Sequence, residues 1–260
     1  MSSIRARCSV LRVRRTRRSL SDTVPPDVRK RTVSVHLLLV GAAASPDHEH
    51  MFRIEQDPQG ILITNPRGYS AFTTVFFGGR RRRHAATLAA ASGAKPGGRA
   101  LDIASGPGTL VFALADRVGP HGEVVGIDAA REMVEYATAR SGNRTNCRFE
   151  YGVAQSLPLP DASFDVVTCT FGMHHIPEAD RGNALSQMWR VLRPGGRVLL
   201  ADMAPVGVHG RLTKLLSRHM DPTEIDIRRY RNPLEQAGFQ DLEYRTVQPS
   251  TGVLTGVKPA

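Results

Sequence analysis

The stretch Leu101-Asp-Ile-Ala-Ser-Gly-Pro-Gly-Thr109 decides the fold, because it joins a short apolar run to a helical pattern through a glycine-rich turn. Gly106 and Gly108 permit a tight turn and the close approach of a ligand, and the helix that follows begins with free N–H groups. The turn lacks the Gly-Lys-Ser/Thr sequence of a P-loop, and Val111 stands where a dinucleotide fingerprint has its third glycine. The sequence therefore predicts a strand–turn–helix unit that binds some other ligand.

From residue 99 onward, runs rich in strand-forming residues alternate with helical runs. The predicted strands are 100–104, 123–128, 147–153, 164–171 and 197–203, and the predicted helices are 109–118, 132–140, 180–192 and material up to 237. This alternation is typical of βαβ units and predicts a doubly wound, mainly parallel α/β sheet, which has seven strands when the two C-terminal strands described next are included.

The end of the chain departs from this alternation. Residues 239–247 and 253–257 are separated only by a turn, which predicts an antiparallel C-terminal hairpin with the last run as an inserted edge strand. Pro194-Gly195-Gly196 predicts the end of a helix before the fifth strand.

Two carboxylates accompany the glycine turn. Asp128 ends the second predicted strand, 22 residues after Gly106, where a carboxylate can accept hydrogen bonds from both hydroxyls of a ribose. Asp102 opens the turn itself, where it would repel a pyrophosphate but suits a ligand that carries an amino group. The pattern favours a nucleoside with an amine.

Several further motifs occur in a fixed order along residues 60–260. Together they resemble the class I S-adenosylmethionine-dependent methyltransferases, in particular the small-molecule group that includes ubiquinone/menaquinone and sugar methyltransferases. The matching pieces are Leu101-Asp-Ile-Ala-Ser-Gly-Pro-Gly108, Gly126-Ile-Asp128, Leu157-Pro-Leu-Pro-Asp161, Ser163-Phe-Asp-Val-Val167, His174-His175 and Val191-Leu-Arg-Pro-Gly-Gly196. The resemblance implies a Rossmann-like fold, S-adenosyl-L-methionine as cofactor and methyl transfer to a small-molecule acceptor.

The resemblance also implies roles for individual residues. It assigns the methionine end of the cofactor to the glycine turn and the end of the fourth strand, the ribose to the second strand, and the adenine to Ala129 and the third strand. The residues expected to bind the cofactor are Asp102, Ala104, Ser105, Gly106, Gly108, Asp128, Ala129, Val153, Ala154, Thr170 and Phe171.

Two positions depart from the family pattern. Ala104 stands where the family commonly has a glycine, which crowds the turn. Val153 stands where it commonly has an aspartate for the adenine amino group, and the loss of that hydrogen bond costs about 1 kcal/mol. The Ala154 backbone N–H and Gln155 are possible substitutes. The absence of the aspartate at position 153 leaves open the alternative that the protein binds S-adenosylmethionine without catalysing methyl transfer.

Catalytic candidates follow the fourth and fifth strands. His174 and His175 follow the fourth strand and Asp202 ends the fifth, so the fold brings them to one crevice. A histidine oriented by an aspartate is a suitable base for O-methylation, and in similar sugar O-methyltransferases the first histidine and this aspartate have these roles. The alternative is that the histidines only cap the loop and pack beneath a lid. Tyr69, Phe72 and His175 are the expected substrate or lid residues.

The N-terminal part divides at Met51. Residues 1–50 carry 10 Lys/Arg against 4 Asp/Glu and show no period of a strand or helix, which predicts a disordered basic extension. A nucleic-acid-binding arm and a secretory signal around 33–45 are the alternatives. Residues 51–98 are expected to form a helical lid segment with a helix from Tyr69 to Phe77, and 99–260 the methyltransferase domain.

Charge and cysteine content narrow the class of protein. The net charge is +11, which raises RNA methylation as an alternative, but more than half of the excess lies in residues 1–50. Arg80 to Arg83 are interpreted as a solvated helix start, since four consecutive helical residues point in four directions. Three cysteines without a Cys-x-x-Cys pair argue against a disulfide framework or a cysteine zinc site. We expect a cytoplasmic protein without a membrane span.

Overall fold

A computed structural model of the chain describes residues 31–35, 52–58, 60–204, 223–247 and 251–260. Strands alternate with helices along most of these ranges. The strands are β1 (Arg31–Val35), β2 (Phe52–Asp57), β3 (Gly60–Ile63), β4 (Arg99–Ile103), β5 (Glu123–Asp128), β6 (Cys147–Tyr151), β7 (Phe164–Thr170), β8 (Leu192–Met203), β9 (Gln240–Val247) and β10 (Thr251–Val257). The helices are α1 (Pro66–Phe76), α2 (Arg81–Ala91), α3 (Thr109–Val118), α4 (Arg131–Ser141), α5 (Arg181–Val191) and α6 (Arg231–Gln236).

Seven strands form one sheet in the order β6-β5-β4-β7-β8-β10-β9. The neighbours from β6 to β8 are parallel, and β10 is antiparallel to both β8 and β9. The doubly wound, mainly parallel α/β sheet with an antiparallel C-terminal hairpin is confirmed. Of the predicted 197–237 stretch, residues 205–222 lie outside the described residues.

Strands β4, β5 and β7 are buried along most of their length on both faces, which explains why they read as nearly continuous apolar runs. The edge strand β9 is largely exposed. Successive strand residues face opposite sides. Leu101 and Ile103 of β4 belong to the core beneath α5, whereas Ala100 belongs to the core beneath α2 and α3. Asp102 has the same parity as Ala100, so its side chain points to the α2–α3 side of the sheet.

Two details of the C-terminal half correct the sequence-based expectations. The run 253–257 was expected at an edge, but β10 lies inside the sheet and β9 is the edge strand. Pro194-Gly195-Gly196 does not end a helix, because α5 has already ended at Val191 and β8 begins at Leu192. The glycines continue the sheet: the Gly195 N–H donates to the Lys258 carbonyl, and the Lys258 N–H donates to the Gly196 carbonyl.

The N-terminal segment contains strands as well as helices. β1, β2 and β3 form a separate antiparallel sheet, so residues 31–35 depart from the expected disordered extension. Their sequence, Arg31-Thr-Val-Ser-Val35, is rich in β-branched residues, which favour strands. Residues 1–30 and 36–50 lie outside the described residues, and the boundaries at 51 and 99 stay a prediction.

Helix α1 begins earlier than expected. Asn65 caps it by accepting a hydrogen bond from the Gly68 N–H at 2.9 Å, and Pro66 occupies the first turn. Both are favourable helix-start features, so α1 begins at Pro66 and not at the expected Tyr69. Within the described ranges, no helix combines the length and the apolar character that crossing a membrane requires.

Candidate active site

Two adjoining cavities open at the carboxyl ends of β4, β5 and β7. The Asp128 cavity has a volume of about 720 Å³ with its solvent-filled mouth included, and it extends to Val153, Ala154 and Gln155. The Asp102 cavity has a volume of about 510 Å³ on the same basis and extends to α2 and the start of α3. The two share the lining residues Tyr69, Ala104, Gly106, Thr170 and Phe171.

Every residue expected to bind the cofactor lines one of these cavities except Gly108. Gly108 caps α3 with φ of 79°, and a Cβ there would lie 2.6 Å from the Phe149 ring. Position 108 therefore requires a glycine because the Phe149 ring packs against it behind the turn. Gly106 has φ of 51° and lines both cavities, so it is the glycine that a ligand can approach.

The turn after β4 contains a strained alanine. Ala104 has φ of 55°, a left-handed conformation that costs a residue with a Cβ about 1 kcal/mol. Phe171, at the end of β7, has φ of 56°. The Ala104 methyl group occupies space that Gly172 leaves open, since a Cβ on Gly172 would lie 2.5 Å from it. The crowding expected at Ala104 is thus relieved by a glycine in the turn that follows β7.

The Asp128 carboxylate holds the glycine turn in place. Its Oδ2 accepts a hydrogen bond from the Gly106 N–H at 2.7 Å, and its Oδ1 accepts one from the Ala130 N–H at 2.9 Å. Burial raises the pKa of Asp128, and these two hydrogen bonds lower it. Each oxygen retains a second lone pair for a ligand hydroxyl. Sequence reasoning assigned only the ligand role to this residue.

The Asp102 carboxyl group is almost fully enclosed. Its residue is 1% exposed, and its Oδ1 accepts a hydrogen bond from the Thr168 hydroxyl at 2.7 Å. Burial, with a smaller contribution from the nearby Asp128, raises the pKa of Asp102 to about 7 against the opposing effect of the Thr168 hydrogen bond. A cationic group in the Asp102 cavity would favour the ionised carboxylate.

His174 and Asp202 form a buried pair. His174 lies in the 3₁₀ turn after β7 and Asp202 in β8, and the His174 Nδ1 to Asp202 Oδ2 distance is 2.6 Å. Their side chains are 9% and 2% exposed. The Met203 N–H donates to the other Asp202 oxygen, which fixes the carboxylate. The predicted contact between these strand ends is confirmed; a catalytic role for it stays a prediction.

His175 faces the Asp128 cavity. Burial lowers its pKa well below the usual value, and the neighbouring His174 lowers it further. Its Nδ1 is buried without a hydrogen-bond partner among the described residues. Gly60 of β3 packs against the His175 carbonyl oxygen, so β3 covers this turn. A neutral histidine with an unused ring nitrogen suits a polar ligand atom.

The aromatic residues of α1 differ in position. Tyr69 lines both cavities, and burial raises its pKa. Phe72 stacks on Phe76 with a centroid distance of 5.9 Å and lines neither cavity. Phe77, the last residue of the predicted helix, lines the Asp102 cavity beside His84. Phe77 is therefore better placed than Phe72 for the expected lid role.

Comparison with known proteins identifies the central part of the chain. The family described as "Methyltransferase domain" matches residues 100–196, which contain the glycine turn, Asp128 and both histidines. Residues 100–196 are a methyltransferase domain. The resemblance to class I, S-adenosylmethionine-dependent methyltransferases of the small-molecule type is confirmed.

The stretches of the chain that align with similar curated proteins are somewhat longer than this domain. A demethylmenaquinone methyltransferase of Deinococcus radiodurans is 42% identical over 127 residues, which are 48% of this chain and 52% of that protein. A demethylmenaquinone methyltransferase of Staphylococcus aureus is 42% identical over 110 residues, or 42% and 45% of the two chains. The chain thus matches about half the length of these relatives.

Solved structures support the fold of the methyltransferase domain. An S-adenosylmethionine-dependent methyltransferase from Aquifex aeolicus superposes with a TM-score of 0.57 at 23% identity, covering 66% of this chain and 88% of that one. The YcgJ protein of Bacillus subtilis gives a TM-score of 0.54 at 23% identity, covering 68% and 99%. At this identity the similarity is one of fold alone.

The cavities of the methyltransferase domain fit S-adenosylmethionine, the cofactor that the family implies. The cofactor has a ribose, an amine and several polar atoms that need partners. The Asp128 carboxylate can accept hydrogen bonds from the ribose hydroxyls, and the Asp102 carboxylate can interact with the amine. The buried Ser105 Oγ and His175 Nδ1 atoms, which have no partner among the described residues, can bind further polar atoms of the cofactor. Bound there, the cofactor supplies an activated methyl group on a sulfonium.

We predict that Asp128→Ala weakens the binding of S-adenosylhomocysteine by roughly 1.5–3 kcal/mol, because hydrogen bonds to a carboxylate are lost together. Titration calorimetry measures this loss. Asp116→Ala, which removes an exposed carboxylate, is the matched control and should leave affinity unchanged. Unchanged affinity in a folded Asp128→Ala protein would contradict the ribose assignment.

We predict that Val153→Asp tightens cofactor binding several-fold. Val153 lines the Asp128 cavity, where a carboxylate can accept a hydrogen bond from the adenine amino group. The gain should vanish for a hypoxanthine analogue, which lacks that amino group, and calorimetry with both ligands measures the difference. A loss of affinity for both would show that Val153 is needed for packing or that Gln155 already makes the contact.

Proposed function

We propose that this protein transfers a methyl group from S-adenosylmethionine to a hydroxyl group of a small molecule, in the cytoplasm. The observation that carries the proposal is the buried contact of 2.6 Å between His174 and Asp202 beside the methyltransferase cavities. The similarity to demethylmenaquinone methyltransferases supports a small-molecule acceptor.

The His174–Asp202 pair suits proton removal. When Asp202 accepts a hydrogen bond from Nδ1–H, the His174 ring is held in the tautomer whose Nε2 carries a lone pair. That nitrogen can take the proton of an acceptor hydroxyl, which otherwise keeps its proton at neutral pH. Asp202 then stabilises the imidazolium without itself taking the proton.

Water exclusion and placement provide the remaining assistance. His174 and Asp202 are buried, and β3, Tyr69 and Phe77 enclose the adjoining cavities. In an enclosed site the reacting groups are held at short range and charged groups interact more strongly than in water.

The test combines a binding measurement with an acceptor screen. Calorimetry with S-adenosylmethionine tests the cofactor, and transfer of a radiolabelled methyl group to small phenols, small amines and total RNA tests the acceptor. Labelling of a phenol supports the proposal. Labelling of RNA would favour the alternative raised by the basic charge, and binding without any labelling would favour a non-catalytic protein.

A further inference from the structure

Arg181, the first residue of α5, occupies a position that is unfavourable for the helix itself. The residue is only 8% exposed. A cation in the first turn faces the positive end of the helix dipole, and the first turn of α5 contains no acidic residue that would offset it. Burial of a guanidinium also costs solvation free energy unless its partners compensate. The groups that the Arg181 side chain contacts therefore have to explain its position.

One of these contacts holds the turn that carries His174. The Arg181 Nε–H donates a hydrogen bond to the Ile176 carbonyl at 3.1 Å. The Ile176 N–H closes the 3₁₀ turn by donating to the Met173 carbonyl at 3.2 Å. His174 lies between these two residues, and its Nδ1 is 2.6 Å from the Asp202 carboxylate. A displacement of Ile176 would therefore move the histidine relative to the aspartate.

The other contact connects Arg181 to the segment that precedes α6. Its Nη2 atom lies 2.6 Å from Glu224 Oε2, and Glu224 Oε1 lies 2.6 Å from Arg229 Nη1. The Nη2 atom of Arg229 lies 2.8 Å from Glu178 Oε1, two residues beyond Ile176. The Glu224 carboxylate is therefore the junction of two connections that both reach the region just after the histidine turn.

The two connections differ in strength. Hydrogen bonds from Arg229 and Arg181 lower the pKa of Glu224, so this carboxylate is ionised at neutral pH. The Arg181 side chain is 10% exposed, whereas the Glu178 side chain is 72% exposed. An exposed ion pair contributes little, whereas a buried charged donor forms a stronger hydrogen bond. The connection through Arg181 therefore has the larger effect on the turn.

We propose that Arg181, oriented by Glu224, is a positioning residue for His174. It fixes the Ile176 carbonyl, and thereby the turn whose histidine contacts Asp202. Neither Arg181 nor Glu224 lines either cavity, so both act through the histidine turn and not on a bound ligand. The proposal rests on the proposed function for the role of His174 in the reaction.

The first test separates turnover from cofactor binding. Arg181→Gln should lower kcat roughly 10- to 100-fold with the acceptor found in the screen, the effect of misplacing a reacting group by about an ångström. Titration calorimetry should find the affinity for S-adenosylhomocysteine within about twofold of the wild-type value. Glu224→Gln should lower kcat by a smaller factor, because Arg181 then keeps its hydrogen bond to Ile176. The double variant should resemble Arg181→Gln, because the two side chains act as a unit.

Control variants separate positioning from folding. Arg228→Gln removes an exposed ion pair of the same segment, the 2.7 Å contact with Asp226, and should leave turnover and affinity unchanged. Thermal unfolding of each variant reports any loss of stability. If Arg181→Gln does not fold, Glu224→Gln provides the same test at a side chain that is 34% exposed.

The second test observes the buried pair directly and needs no acceptor. A short hydrogen bond to a carboxylate strongly deshields the Nδ1 proton of a histidine, so the wild-type protein should show a downfield proton resonance that is absent in His174→Ala. In Arg181→Gln this resonance should broaden or disappear, because the turn no longer holds His174 against Asp202. In Arg228→Gln it should persist.

The combined results decide the proposal. Loss of turnover together with loss of the resonance supports it. If Arg181→Gln lowers only the melting temperature and keeps both, Arg181 has a structural role, and this proposal fails while the proposed function stands. If turnover falls with an unchanged resonance, Arg181 acts by another route and the proposal also fails. If the wild-type protein methylates no hydroxyl acceptor, the proposed function fails, and the resonance alone decides whether Arg181 positions the pair.

Discussion

His174→Ala is expected to lower turnover by roughly 10²- to 10⁴-fold, the usual contribution of a positioned base, and to leave cofactor affinity nearly unchanged. The affinity should persist because His174 lines neither cavity, whereas its Nδ1 lies 2.6 Å from Asp202. Turnover is measured with the acceptor found in the screen, and affinity by calorimetry.

A variant of Asp202, the partner of His174, tests the same assignment. Asp202→Asn should cost less than His174→Ala, and the double variant should cost little more than the worse single one, because the two side chains act as a unit. The turnover of His175→Ala, which changes the adjacent histidine, shows whether the loss is specific to His174. A His174→Ala protein that keeps most of its turnover would contradict the base assignment, and would favour an acceptor that needs no deprotonation.

Asp102 is expected to make the ligand-free protein less stable as the pH rises. Burial raises the pKa of Asp102 from 3.8 to about 7. Between these values the folded protein binds more protons at this site than the unfolded chain does, so the free energy of unfolding falls with rising pH. The difference corresponds to about 4 kcal/mol, present below about pH 4 and lost by about pH 7.

The variant Asp102→Asn measures this effect directly. Its amide oxygen can still accept the Thr168 hydroxyl, but it does not ionise. Denaturant unfolding of both proteins from pH 4 to 8 gives a difference curve in which other titrating groups cancel. We expect the variant to gain relative stability as the pH rises; a flat curve would show that Asp102 titrates normally.

Much of the fold is encoded locally. The alternation of apolar strands and helical runs suffices for the parallel sheet, because each buried strand needs apolar side chains on both faces. Residues 31–35 were missed because a strand in a small separate sheet depends on its partner, here β2, more than on its own pattern. The start of β8 at Leu192 was missed for a similar reason: its glycines pair with residues near Lys258, far along the chain.

The candidate site divides in the same way. Asp102, Asp128 and the His174–Asp202 contact follow from which strand ends adjoin, so their spacing predicts them. The close packing of the Ala104 methyl group against Gly172 could not be predicted from the sequence, because it depends on the distance between two turns. Arg80 to Arg83 were interpreted as a solvated helix start, but Arg81 is partly buried and lines the Asp102 cavity. Which of these four arginines faces the domain could not be predicted without the direction of α2. The backbone hydrogen bonds of Asp128 likewise require the structure.

The position of β10 has a consequence for biosynthesis. Among the described strands β10 is translated last, yet it lies between β8 and β9 and pairs with both. During translation, β9 emerges before the strand that joins it to the sheet, so the edge of β8 stays open until β10 has been made. Gly252 of β10 lies opposite Asp202, so the backbone that carries the aspartate of the buried pair is completed only then. The ribosome must therefore deliver nearly all of this sequence before the pair has its final surroundings, and the nascent chain carries an unpaired strand edge that chaperones can recognise until that moment.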